Sequence, residues 1–159
     1  MIVTARIYSV TFQAVAITVS QDLFELTPAD DKPVGLLGLF LGNSTDFKDA
    51  EDENLRWSVI RGFTTSGSGG TAPTPRPQGR TDAAAGFTAE VNNTTKATTG
   101  TTHVLHADAF NVRAGLAHFW TPETVPQASQ ADTTIVVRLE AAPVDSITFD
   151  GTLYVAEWG

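Results

Sequence analysis

Thr133-Thr134-Ile135-Val136-Val137-Arg138-Leu139-Glu140-Ala141-Ala142-Pro143, followed by Ser146-Ile147-Thr148-Phe149-Asp150-Gly151-Thr152-Leu153-Tyr154-Val155, is the stretch whose reading decides the fold class. In the second run Ile147, Phe149, Leu153 and Val155 share one parity, while Thr148, Asp150, Thr152 and Tyr154 take the other. That is the two-residue period of a strand with one face in a core and one in water. Pro143 lacks an amide donor and has a fixed φ, so the chain is expected to turn between the runs and pair back as an antiparallel hairpin. Only a few residues follow before Gly159, so this hairpin is expected to complete the sheet of one domain spanning 1–159.

Working outward, Ile2 to Val19 is rich in β-branched and aromatic residues, and its apolar parity switches from Tyr8, Val10 and Phe12 to Val15, Ile17 and Val19. A bulge near Gln13-Ala14 accounts for the switch. Val34-Gly35-Leu36-Leu37-Gly38-Leu39-Phe40-Leu41 is apolar on both parities, as in a fully buried strand or one closely approached by another backbone. Leu55, Trp57 and Val59 alternate with Arg56 and Ser58, with Trp57 as a core anchor. Asn92 to Gly100 is polar and reads as a protruding hairpin or loop. With strand patterns recurring between turn signals and no helical period of useful length, the fold class is all-β. The expectation is an antiparallel two-sheet sandwich of jelly-roll type.

Composition narrows the function. The 159 residues carry 18% charged side chains and a formal charge of −8, with 10 scattered Lys and Arg, so no nucleic-acid partner is expected. No run approaches the length of a membrane helix and the first residues lack a secretion signal, so no membrane partner and no conventional export are expected. The absence of cysteine excludes disulfides, thiolate metal sites and a Cys nucleophile. No nucleophile elbow, zincin motif or His-x-His pair occurs, and the chain is read as a non-enzyme without catalytic residues or cofactor. His103 and His106 differ in parity, which on one regular strand sends them to opposite faces, so no metal ligands are assigned. Asp46 to Glu53 holds five carboxylates but lacks the EF-hand order, and a solvated loop is the expectation there.

Residues 64–82 form the longest segment without strand character, with Gly67, Gly69 and Gly70 followed by Pro73, Pro75 and Pro77. No Lys-Ser or Lys-Thr follows the glycines, which excludes a P-loop. Alternating prolines favour a stiff polyproline II arm reaching a neighbour, with Arg76 and Arg80 as its contact residues, and a plain flexible loop is the alternative. Tyr154 and Trp158, on a low-charge surface lined by Thr133, Thr134, Thr148 and Thr152, are the other candidate partner-binding residues.

Trp57-Ser58-Val59-Ile60-Arg61-Gly62-Phe63-Thr64-Thr65-Ser66-Gly67, Ala83 to Thr94, Leu105 to Gly115, Val136 to Leu139 and Gly151 to Tyr154 together resemble the tailed-bacteriophage head decoration, or cement, proteins. The resemblance implies a structural virion protein made in the host cytoplasm and placed on the capsid exterior. It further implies a homotrimer whose partner is the major capsid protein and whose role is to reinforce contacts between capsid subunits. The alternative is a carbohydrate- or host-receptor-binding jelly-roll module, with Trp57, Trp120 or Tyr154 stacking on sugar rings.

Overall fold

The computed structural model describes residues 5–45, 52–130 and 133–159. Its strands in chain order are β1 (Arg6–Ile17), β2 (Asp22–Thr27), β3 (Val34–Asn43), β4 (Asn54–Phe63), β5 (Arg76–Pro77), β6 (Thr88–Asn93), β7 (His103–Asn111), β8 (Leu116–Phe119), β9 (Gln127–Ala128), β10 (Thr134–Leu139) and β11 (Ile147–Glu157). They form two antiparallel sheets packed face to face. The first runs β5-β1-β11-β3-β8, with β9 also pairing β3; the second runs β6-β2-β10-β4-β7. No helix occurs among the described residues.

The alternation in β11 places Ile147, Phe149, Leu153 and Val155 in the core, fully buried. Tyr8, Val10 and Phe12 of β1 and Leu36, Leu39 and Leu41 of β3 join them from the same sheet. From the second sheet come Phe24, Leu26, Leu55, Trp57, Val59, Ile135, Val137 and Leu139. The parity switch in β1 is a bulge: pairing with β11 is irregular between Phe12 and Val15, and Ala14 has a φ of 51°. The Asp150 carboxylate accepts the Ala14 amide at 3.0 Å, which holds the alanine in that uncommon conformation. Strand β3 is a buried inner strand, although side-chain rings rather than another backbone lie against Gly35 and Gly38.

The expected hairpin between the last two runs does not form. Strand β10 pairs with β2 and β4 in the second sheet, whereas β11 pairs with β1 and β3 in the first. The Pro143 segment therefore crosses the sandwich. Two sheets lie about 10 Å apart, and a connection of this length spans that gap as readily as it turns back.

The segment expected to project as an arm is folded onto its own chain. Thr65, Ser68 and Thr71 pair with Thr98, Thr95 and Val91, so 64–71 and the expected protrusion at 92–100 lie together as a roof over the outer face of the second sheet. Two carboxylates beneath the roof hold it down. Glu25, 2% exposed, accepts from the Ser66 hydroxyl at 2.6 Å, the Gly67 amide at 3.0 Å and Asn93 Nδ2 at 3.0 Å. Asp22, fully buried, accepts from the Ala97 amide at 2.7 Å and from Arg138 Nε and Nη2 at 2.6 and 3.0 Å. Arg138 in turn donates to the Ala97 carbonyl and lies over the Phe63 ring. Ile60, Phe63, Ala97 and Val136 make a small second core under the same roof. The chain then crosses to the first sheet, where Arg76 and Pro77 pair with Ser9 and Tyr8.

Candidate functional site

The roof makes the two outer faces unequal. That of the second sheet is covered over β2, β6, β10 and part of β4, where Thr134 lies buried rather than lining a surface, and is open along its β7 edge, where Val104, Ala107 and Ala109 are exposed. That of the first sheet stays open. One cross-strand row on it reads Arg76, Ser9, Tyr154, Gly38, Phe119 from edge to edge, because each residue pairs with the next. The neighbouring row reads Thr11, Thr152, Phe40, Ala117. Phe40 sits edge-on to both Phe119, at 5.0 Å between ring centres, and Tyr154, at 5.8 Å. Phe119 lies against Gly38, and its ring is 68% exposed on the short edge strand β8.

Trp158 continues this surface toward the start of β3. Its ring lies where a Cβ on Gly35 would come within 2.5 Å, with Val125 at 2.7 Å from the same point. Gly35→Ala is therefore expected to push the indole off the sheet and to cost about 1–3 kcal/mol, as overpacking does. Urea unfolding, together with a shift of tryptophan emission, checks this. At the other end of the face Thr11, Gln13, Phe40, Gly42, Asp150 and Thr152 rim a depression of about 420 Å³. Arg76 and Asp150 are the charged side chains in these rows and at this rim, and Asp150 is engaged with the Ala14 amide.

Of the residues singled out from sequence, the fold brings Arg76, Tyr154 and Trp158 to this one face. Arg80 is exposed in the turn that follows β5, where the Asp82 amide donates to the Gly79 carbonyl. Trp57 and Trp120 are 1% and 8% exposed, so neither presents a face to a sugar. The acidic cluster falls largely on 46–51, outside the described residues; Asp52 accepts from Asn111, and Glu53 from the Val144 amide. Phe40 and Phe119 were missed because neither the apolar run around Phe40 nor the His118 and Trp120 that flank Phe119 carry a sign of which face each ring will occupy.

A second cluster was also missed. His106 and Asp108 of β7 and His118 of β8 point into the open edge of the sandwich, with metal-ligating atoms all within 4.8 Å of one another. The parity argument that separated His103 from His106 does not hold. Pairing of β4 with β7 is irregular between Val59 and Ile60, so His106 lies opposite Val59 and His103 opposite Arg61, two β4 positions of one parity. His103 stays exposed, and it is His118, from the other sheet, that meets His106, at 4.5 Å between ring centres. Trp57 and Trp120 form the inner wall, at 4.9 and 5.7 Å from the His106 ring. Burial, then the neighbouring His118, hold the His106 imidazole below its ordinary pKa, against the opposing pull of Asp108. His106 is thus neutral at neutral pH. Comparison with protein-family models, with curated proteins and with solved structures finds no match to this chain.

Proposed function

We propose that this chain is a structural virion protein of the decoration, or cement, type. In this reading it self-associates as a homotrimer and reinforces the outer surface of a bacteriophage capsid by binding the major capsid protein. The observation that carries the reading is the unequal treatment of the two sheet faces. A roof held by buried carboxylates covers one except along its β7 edge, while the other bears Phe119, Phe40, Tyr154 and Trp158 with little charge. Low charge and clustered aromatics are what association surfaces present, and closed symmetry limits such association to a defined oligomer. The strand order supports the jelly-roll part of the reading. Without β5, β6 and β9, the sheets are β1-β11-β3-β8 and β2-β10-β4-β7, with β1 to β4 alternating between them, as in a pair of nested Greek keys.

Phe119→Asp combined with Tyr154→Asp places one carboxylate in the middle of this face and one on its edge strand, and both positions are on the solvent side, so the fold should survive. The expected result is a trimer for the wild-type chain and a monomer for the variant in light scattering. Loss of cosedimentation with capsids lacking the protein should accompany it. A wild-type monomer that ignores capsids would refute both association and decoration.

A further inference from the structure

We propose that His106, Asp108 and His118 form a binding site for a divalent transition-metal ion, with Zn²⁺ as the probe, that ties the free edge of one sheet to the free edge of the other. This does not rest on the decoration reading. Strand β7 ends the second sheet and β8 ends the first, and the turn between them carries the chain across the sandwich through Gly115 at a φ of 70°. Inward positions along the two edges begin as ordinary core: Phe110 is buried, and Leu116 packs against the core. Further along the same parity the apolar residues give way to Asp108 and His106 on one strand and His118 on the other. A packed edge needs no such set. Two imidazoles and one carboxylate are a zinc ligand set that leaves a coordination position open.

An unmet valence marks the place. His106 Nε2 is buried and has no hydrogen-bond partner, beside two indole nitrogens, of Trp57 and Trp120, in the same condition. The indoles can only donate and cannot bind a cation, but imidazole nitrogen is a preferred zinc ligand. The ligand atoms lie within 4.8 Å of one another. Zinc bonds of about 2.0–2.2 Å in a tetrahedral arrangement put ligands about 3.4 Å apart, so the widest pair must close by up to about 1.4 Å. Asp108 can supply much of that movement: it is exposed, and one of its oxygens is held only by the Ala109 amide at 2.7 Å. The tryptophan wall keeps water from the inner side, which strengthens the ion's hold on its ligands.

The test is calorimetric titration of chelator-treated protein with ZnCl2, with melting temperature read in parallel. Wild type should bind one equivalent and melt higher with zinc than without. His118→Gln and Asp108→Asn should each weaken binding at least about tenfold. His103→Gln, on the same strand but exposed and outside the cluster, should bind as wild type does. Asp108 is exposed, so Asp108→Asn remains informative should His118→Gln not fold, and the visible spectrum of the Co²⁺-loaded wild type reports imidazole and carboxylate ligation independently. Absence of zinc binding by folded wild type, or undiminished binding by either folded ligand variant, would overturn the site.

Discussion

Arg138→Met is expected to destabilise the protein by about 3–5 kcal/mol, the range for removing one partner of a buried ion pair. Asp22 is fully buried, and Arg138 is its only cationic partner at 2.6 Å among the described residues. Methionine keeps much of the side-chain volume over Phe63, so the loss comes mainly from a carboxylate left buried without countercharge. Chemical denaturation measures the loss. Adding Asp22→Asn should recover part of it, since an asparagine oxygen can still accept the Ala97 amide without a charge to bury. A double variant as unstable as the single one would mean that the pair stabilises through the Arg138 bond to the Ala97 carbonyl instead. Because the pair anchors the roof, limited proteolysis of Arg138→Met should cut first within 94–100. Cleavage starting elsewhere would separate roof stability from the ion pair.

Trp57→Ala should cost a similar amount, about 3–5 kcal/mol, through the cavity left by the largest fully buried side chain of the core. Trp57 also carries a buried indole N–H without a partner. Trp57→Phe removes that donor while keeping a ring against His106 and Trp120, so its loss should be clearly smaller than that of the alanine variant. Equal losses in urea unfolding would show that the indole nitrogen makes a stabilising bond. Both variants also alter the wall of the histidine cluster, so zinc titration of Trp57→Phe tells whether that wall acts by shape alone.

Local pattern carried the strands and their faces. The alternation through Ile147, Phe149, Leu153 and Val155, the parity switch resolved by the Ala14 bulge, and the burial of Trp57 all follow from side chains a few residues apart. Such features depend on the pleat of one strand, which sequence spacing records directly. Which strands pair is a different matter. A proline-containing link such as 140–146 has the same local chemistry whether it reverses within a sheet or crosses to the facing one, and the choice rests on burying β10 and β11 in opposite layers. The 64–82 segment looked like an arm because the groups that hold it, Glu25 and Asn93, are far away in sequence. Tyr154 and Trp158 were legible as surface aromatics, but their meeting with Arg76, Phe40 and Phe119 needed the register of five strands. The histidine cluster was the least legible part. Its ligands come from the edges of two different sheets, and an irregularity in β7 pairing resets the parity that spacing alone would assign. Sequence thus determined the alternation within each strand, because sterics act between near neighbours, while tertiary structure decided the sites, because closing the sandwich is what sets distant side chains face to face.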